Sequence, residues 1–301
     1  MSATALWIYV SGSLTLIIGI ITFPDGMPQE HGVDKVLPLG RMFFAIPMAV
    51  FATEHFTNTA GVASLVPRWI PAHTFWVYLV GLGFLCAALG MAALVQARLA
   101  AALVGMTMLI FVLVMDIPAT IAQPDSRFSW ALALRQLAFG GGAFAFALSP
   151  WSTRLRQPPP ERFAPWASVP RFFVGIAALV YGVEHLLHPA NTPGVPLRQL
   201  TPEWIPGRIL LSYFVGLMLI VAGGCLLVNW RARLAATYLG LTILLTVVWV
   251  YLPMLVRAPT EVLALNYFFD TLLFAGTVLL VANAIDPRSG HDSPAGKPRL
   301  A

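Results

Sequence analysis

The sequence predicts an all-α, polytopic bundle of about nine transmembrane helices, with two parallel four-helix repeats after one extra N-terminal helix. Of the 301 residues, 58% are hydrophobic and only 10% are charged, so the bilayer has to be the main solvent of the chain. Apolar runs long enough to cross a membrane recur along the whole sequence. The second half also repeats much of the first.

The apolar runs are bounded by prolines and tryptophans, which mark helix stops and interfacial anchors. The first run has neither a preceding basic residue nor a small-residue cleavage site, which predicts a retained helix rather than a signal peptide. The predicted spans are residues 5–22, 39–56, 74–95, 99–118, 130–148, 171–187, 207–229, 234–253 and 262–284.

The internal repeat is specific. The segment RMFFAIPMAVFATEHF at 41–56 aligns with RFFVGIAALVYGVEHL at 171–186 at an offset of 130 residues. A longer loop in the second copy then shifts the offset to 135, at which Trp-Ile-Pro at 69–71 matches 204–206. Four spans per copy are an even number, so both copies enter the membrane in the same direction.

These boundaries divide the chain into five parts. The segment between the repeats contains three consecutive prolines and several arginines, which favours a cytoplasmic linker. The end of the chain is rich in Gly, Pro, Ser and charge, and is predicted to be disordered. The parts are an N-terminal helix and loop (1–38), the first repeat (39–149), the linker (150–170), the second repeat (171–285) and the tail (286–301).

The basic residues predict membrane orientation rather than a nucleic-acid partner. The formal charge of +5 comes from Lys and Arg residues that sit singly in loops between apolar runs. Most of these 18 residues fall on the side that carries the linker and the tail. The positive-inside rule therefore places the C-terminus in the cytoplasm and the N-terminus outside, in a bacterial-type inner membrane.

Ionisable side chains at membrane depth are rare and are functional candidates by default. Because successive spans alternate in direction, all of them are predicted to lie in the outer half of the bilayer. They are Glu54 and His55 in the second span, Glu184, His185 and His188 in the sixth, Asp116 in the fourth, Arg135 in the fifth and Asp270 in the ninth.

The functional hypothesis is a polar pocket for a quinone or another amphipathic molecule. Imidazole titrates near neutral pH, and both carboxyl and imidazole groups act as proton carriers. The predicted proton-handling residues are Glu54, His55, Glu184 and His185. The predicted pocket residues are Asp116, Arg135, His188 and Asp270.

A structural alternative competes with this hypothesis. Adjacent helical residues point about 100° apart, so a Glu-His pair cannot face one small ligand from a regular helix. Each Glu would instead pair with an arginine such as Arg135, and each His would donate to a backbone carbonyl. Glu184 and His188 have the spacing of two metal ligands, but Asn58 stands at the matching position, so no metal site is predicted.

The four-span unit, with its arginine-initiated first helix and Glu-His end, resembles the DoxX-like family of membrane proteins over residues 41–148 and 171–284. A fused double copy with an added helix departs from the family's usual single unit. The resemblance implies membrane redox work, since its namesake relatives are subunits of a thiosulfate:quinone oxidoreductase. It names a quinone as candidate cofactor and a redox subunit as candidate partner.

The sequence contains no electron carrier motif of its own. The two cysteines, Cys86 and Cys225, lie in the middle of apolar spans and form no Cys-x-x-Cys pair or iron–sulfur set. Three other hypotheses stay open: a non-redox carrier or channel whose two copies rock about a cavity, a scaffold for partner subunits, and a lipid isomerase or cyclase.

Overall fold

The computed structural model describes residues 2–22, 32–195 and 199–285. Within them, helices of membrane length follow one another as predicted. They are α1 (Ala3–Ile21), α2 (Gly40–Thr57), α3 (His73–Ala93), α4 (Ala97–Ala122), α5 (Arg127–Ala147), α6 (Val169–Leu187), α7 (Arg208–Val228), α8 (Ala232–Arg257) and α9 (Val262–Ala284). The predicted all-α polytopic bundle is confirmed.

The fifth helix differs from the other eight, which are long and apolar enough to cross a membrane. Helix α5 is 21 residues long, but Arg135 and Gln136 near its middle lower its mean hydropathy. It packs against α4, α6 and α9 inside the bundle. The predicted fifth span therefore exists as a membrane-length helix whose polar residues meet other helices.

The repeat is visible in the backbone. Helices α4 and α8 each contain one π-helical turn, Val112–Asp116 and Val247–Tyr251, at an offset of 135 residues. Pro118 and Pro253 follow at matching positions. Because proline lacks an N–H and crowds the carbonyl four residues before it, the wider turn lets the helix continue past it. Helix α4 therefore runs to Ala122, beyond its predicted end.

The tight turns repeat as well. Leu94 and Gln96 between α3 and α4 have positive φ angles of 53° and 48°. Asn229 and Arg231 between α7 and α8 have φ angles of 57° and 45°. These left-handed residues end one helix and start the next within a few residues, so both copies reverse the chain in the same way.

The eight helices of the two repeats form one closed ring. Within each copy, every helix packs against the next, from α2 to α5 and from α6 to α9. Between the copies, α5 packs on α6 and α2 on α9, while α5 and α9 also pack on each other across the ring. Helix α1 lies against α2. The copies are therefore interlocked rather than separate four-helix bundles.

The central contact between α5 and α9 shows that the copies are parallel. A Cβ atom built on Gly142 would lie 2.8 Å from the Cα of Thr277, which is the equivalent position in the second copy. At another level, Arg135 Nη1 lies 3.1 Å from Oδ1 of its equivalent, Asp270. Equivalent positions meet at two levels only when the helices run the same way, which confirms the predicted parallel repeats.

Equivalent arginines hold the segments that lead into each repeat. Arg98 Nη2 donates to the carbonyl of Gln157, in the linker before α6, at 2.6 Å. Arg233 Nη2 lies 3.0 Å from Oδ2 of Asp34, in the 3₁₀ segment before α2. Each copy therefore contacts the segment that precedes the first helix of the other copy, at the end of the bundle where α3 and α7 finish.

The predicted linker is partly ordered into short 3₁₀ helices, Pro150–Ser152 and Glu161–Trp166. Helix α6 begins at Val169, just before the predicted boundary. The predicted disordered tail, residues 286–301, and residues 23–31 of the first part lie outside the described residues, so these predictions are not tested.

Candidate functional site

The predicted site residues lie toward one end of the bundle, which we call the polar end: there α2, α4, α6 and α8 finish and α5 and α9 begin. Glu54 and His55 stand in the last turn of α2, and Glu184 and His185 in the last turn of α6. The remaining four are Asp116 in α4, Arg135 in α5, Asp270 in α9 and His188 at the end of α6.

Four of these residues form what we call the central polar cluster: Glu54, Asp116, Arg135 and Asp270. Arg135 Nη1 donates to Asp270 Oδ1 at 3.1 Å, which joins the two copies at their shared centre. Asp116 interacts with the same guanidinium and with Gln136. Glu54 comes from the other side, close enough to Asp270 for their charges to interact. Two carboxyl groups therefore face one arginine, and a third, Glu54, lies beside one of them.

The two aspartates of the cluster are buried, and the cluster is incompletely hydrogen-bonded. Asp270 is 4% exposed and Asp116 is 8% exposed. Asp116 Oδ2, Asp270 Oδ2 and Glu54 Oε1 are buried with no hydrogen-bond partner among the described residues. Buried polar atoms are nearly always satisfied in folded proteins. Orphaned carboxyl oxygens therefore mark a place where a proton, water or ligand completes the structure.

Apolar and aromatic packing holds the cluster together. Tyr181 of α6 is fully buried, and its hydroxyl donates to the carbonyl of Ala131 in α5 at 2.7 Å. Its ring lies 5.8 Å from that of Phe274 in α9. Tyr181 thus joins α6 to both central helices directly beneath the charged groups. The sequence analysis did not single it out, because a tyrosine in an apolar span carries no signal of its own.

Adjacent Glu and His side chains point toward different helices, as the geometry of a helix requires. His55 faces α3, where its ring packs edge-to-face on Phe84 at 5.4 Å. Glu54 faces α9, where it lies beside Asn266. In both histidines, Nδ1 is hydrogen-bonded to the backbone carbonyl of the residue four positions earlier, at 2.7 Å for His55 and 2.6 Å for His185. The histidine part of the structural alternative therefore holds in both copies.

The two glutamates have different partners. Glu184 Oε2 lies 2.6 Å from Nε of Arg127, at the start of α5. Arg135, the pairing partner suggested from the sequence, contacts Asp270 instead. Glu54 has no arginine at the matching place, since Val262 stands where the repeat would put one. The expected equivalence of the two acid–imidazole pairs is therefore not kept, because their partners lie on helices that differ in sequence.

His185 is fixed more fully than His55. Its Nε2 accepts a hydrogen bond at 2.8 Å from the backbone N–H of Gly194, in the long loop between α6 and α7. No hydrogen bond from the described residues reaches Nε2 of His55. His188 stands at the C-terminal cap of α6 and is partly exposed. Among residues 2–22, 32–195 and 199–285, no three His, Cys, Asp or Glu side chains are grouped to hold a metal ion.

The chain matches no protein-family model, and neither curated proteins nor solved structures gave a match. The resemblance to the DoxX-like family therefore stays a prediction. The chain itself is a multi-pass membrane protein by the length and apolar composition of its helices.

Proposed function

We propose that this protein binds a quinone-like molecule at the polar end of the bundle and supports a membrane redox reaction there. The observation that carries the proposal is the central polar cluster, in which three carboxyl groups share one guanidinium and three of their oxygens lack partners among the described residues. The family resemblance supports the same function. We place this end in the outer half of the bilayer, following the distribution of basic residues.

The charge balance of the cluster favours a role in proton exchange. An uncompensated carboxylate in a medium of low dielectric constant is costly. Asp116 and Asp270 face Arg135, and Glu54 lies beside Asp270, so one guanidinium is not enough to balance the charge of three carboxylates. Protons, or hydrogen-bond donors from a ligand, would supply the rest. A site that takes up protons beside an apolar bundle suits a substrate whose redox chemistry consumes them.

The surroundings of the cluster favour a substrate that enters from the bilayer. Apolar side chains of α4 are exposed on either side of Asp116, with Leu113 64% exposed and Ile121 74% exposed. In α2, Phe56 next to His55 is also exposed. These side chains contact acyl chains in a membrane. An amphipathic molecule can therefore reach the polar residues without crossing water.

The reaction we propose is reduction of a quinone, which takes up two electrons and two protons and yields a quinol. Glu54 and His55 exchange the protons, while Arg135 and its carboxylate partners hold the charge. The electrons come from a partner subunit that carries a flavin, haem or iron–sulfur centre, since this chain contains no such motif. The same proton role for Glu184 and His185 stays a prediction, because both are already held by other groups.

The packing argues against a carrier whose two copies rock against each other. Rocking would have to open the contacts of α2 with α9 and of α5 with α6, which close the ring. The α5–α9 crossing is also tight, because Gly142 meets the backbone of Thr277. Interlocked copies suit a fixed binding site better.

The test is quinone extraction and turnover with the full-length chain. We expect protein purified in mild detergent from its native membranes to carry ubiquinone or menaquinone, detected in organic extracts by chromatography. In the same membranes, Glu54→Gln should lower the rate of decylubiquinone reduction by about a hundredfold, the size of a lost proton-transfer group. The matched control Glu203→Gln changes an exposed carboxylate on the α6–α7 loop and should leave the rate unchanged.

Two results would overturn the proposal. One is a purified protein that carries no quinone, together with membranes that reduce decylubiquinone equally fast when they lack this protein. The other is a Glu54→Gln protein that turns over as fast as the Glu203→Gln control.

A further inference from the structure

The second copy contains a pocket that its own loop fills. The N–H of Gly194 donates to Nε2 of His185 at 2.8 Å, and the hydroxyl of Tyr251 donates to the carbonyl of Pro193 at 2.7 Å. A Cβ built on Gly194 would lie 3.0 Å from Cγ2 of Thr271, so the loop sits directly against α9. A single peptide group, Pro193–Gly194, thus satisfies two side chains that face each other across the pocket.

The first copy has the same pocket by position. His55 corresponds to His185, Asp116 to Tyr251 and Gln136 to Thr271. The backbone around these residues repeats too, since Asp116 and Tyr251 each end the π-helical turn. Asp116 also faces Arg135 and Gln136, as Tyr251 faces Asp270 and Thr271 at the equivalent places.

The histidines are set in place by the same close contact. A Cβ on Gly81 of α3 would lie 2.7 Å from Cβ of His55, and one on Gly216 of α7 would lie 2.9 Å from Cβ of His185. Only a glycine lets α3 or α7 come this near. Both imidazoles therefore start from the same position and direct Nε2 toward equivalent spaces.

The space in the first copy is not filled in the same way. The loop after α2 is five residues shorter, as the change of offset from 130 to 135 shows. Its described residues give no hydrogen bond to Nε2 of His55. An aspartate is shorter than a tyrosine by a whole ring, so Asp116 does not extend to the place where Tyr251 reaches the loop. Asp116 Oδ2 is buried and has no partner among the described residues.

Two aromatic side chains lie between His55 and the π-helical turn of α4. Phe84 of α3 packs edge-to-face on the ring of His55 at 5.4 Å, and Phe111 of α4 packs edge-to-face on Phe84 at 6.3 Å. Phe111 stands at the start of the π-helical turn that ends at Asp116. A chain of aromatic contacts therefore leads from His55 to the helical turn that ends at Asp116.

Both polar ends are hydrogen-bond acceptors. Nδ1 of His55 meets the carbonyl of Phe51 at 2.7 Å, so the neutral ring carries its proton there and presents Nε2 as an acceptor. The carboxylate of Asp116 accepts through Oδ2. A ligand that satisfies both ends must donate at two places and be flat and aromatic between them.

We propose that the pocket between His55 and Asp116 holds a dihydroxy-aromatic headgroup, the reduced quinol, and that Pro193–Gly194 is a built-in occupant of the equivalent pocket in the second copy. This inference rests on the proposed function and adds where the molecule binds, in which redox form and how many per chain. The quinol donates one hydroxyl to His55 and the other to Asp116. Its quinone has only acceptors and is held less well.

The test is a binding titration of the full-length protein in lipid nanodiscs, under anaerobic conditions, with decylubiquinol, decylubiquinone and the dimethyl ether of decylubiquinol. We expect one decylubiquinol per chain, bound at least about tenfold more tightly than the other two, because each lost donor leaves a buried acceptor unpaired. Asp116→Asn should weaken decylubiquinol binding about tenfold by removing a charge-assisted hydrogen bond. Tyr251→Phe, the matched change in the second copy, should not weaken it.

His55→Phe is the second test variant, since the phenyl ring keeps the packing on Phe84 while removing the acceptor. It should also weaken decylubiquinol binding about tenfold or more. Two molecules per chain, equal binding of the dimethyl ether, or binding that Tyr251→Phe abolishes and Asp116→Asn leaves intact would overturn the pocket assignment while the proposed function stands. Absence of binding by both decylubiquinol and decylubiquinone would overturn the pocket and the proposed function together.

Discussion

The two copies of the four-helix unit share a backbone but use equivalent side chains for different purposes. In the second copy, His185 and Tyr251 bind the peptide group Pro193–Gly194, so the polar residues fasten a loop. In the first copy, Asp116 and His55 face a shorter loop, and Asp116 keeps an oxygen without a partner among the described residues. Equivalent positions can therefore fasten a loop in one copy and keep a buried carboxyl oxygen free of the loop in the other.

The largest expected effect concerns the ion pair that both copies share. Asp270→Leu removes one partner of a buried pair and leaves the Arg135 guanidinium with Asp116 as its neighbouring charge. Breaking such a pair costs about 3 kcal/mol. We expect the free energy of unfolding, measured by denaturant titration in mixed micelles, to fall by about that amount.

The exchanged double variant, Arg135→Asp with Asp270→Arg, is the control for this prediction. Because the two positions are equivalent in the repeat, we expect the exchange to recover more than half of the lost stability. A double variant as unstable as Asp270→Leu would show that the two positions are not interchangeable.

The next effect separates the two histidines. His185→Phe leaves the N–H of Gly194 without its acceptor, and a buried unsatisfied donor costs about 1–3 kcal/mol. His55→Phe loses only the bond from Nδ1 to the carbonyl of Phe51, whose counterpart His185→Phe loses as well, so its free energy of unfolding should fall by about 1 kcal/mol, less than for His185→Phe. Both values come from the same micelle titration. Equal losses for the two variants would mean that the pockets are filled alike.

A smaller effect is expected at the opposite wall of each pocket. Tyr251→Phe removes the hydroxyl that donates to Pro193, which is worth about 1 kcal/mol of stability. Asp116→Asn keeps the size of the side chain and loses only a charge beside Arg135, which Asp270 still pairs, so it should cost less than Tyr251→Phe. Thermal unfolding of the two variants in the same detergent measures both. A larger loss for Asp116→Asn would contradict the open pocket.

The smallest effects should come from the other end of the bundle. Arg98→Gln and Arg233→Gln weaken the contacts that hold the linker and Asp34. Partly exposed pairs of this kind contribute about 0–1 kcal/mol. We expect both variants to bind decylubiquinol like the unmodified protein. A loss of binding in either would mean that the two ends of the bundle are coupled.

The fold was largely predictable because hydropathy and repetition are properties of the sequence itself. Apolar runs located the helices, and the even number of spans in each copy predicted parallel copies, which the contacts of Arg135 with Asp270 and of Gly142 with Thr277 confirm. The offset of 135 also pairs Arg135 with Asp270 directly. The contact between these opposite charges could not be predicted from the offset alone, because it depends on the packing of α5 against α9.

The roles of the Glu-His pairs were not predictable, because they depend on partners from other helices. Glu54 meets Asn266, whereas Glu184 meets Arg127. Identical dipeptides thus acquire different neighbours when two copies interlock. The five extra residues of the second loop were visible in the alignment, but that they would carry Gly194 to His185 depends on the path of the loop.

The most direct test of two unlike pockets is a ¹⁵N spectrum of the six histidines in nanodiscs, titrated with decylubiquinol and assigned with His55→Phe and His185→Phe. We expect the signal of Nε2 of His55 to shift as the ligand binds, while Nε2 of His185 keeps the signal of an acceptor already bonded to Gly194. A ligand-dependent shift at His185, with His55 unchanged, would contradict it.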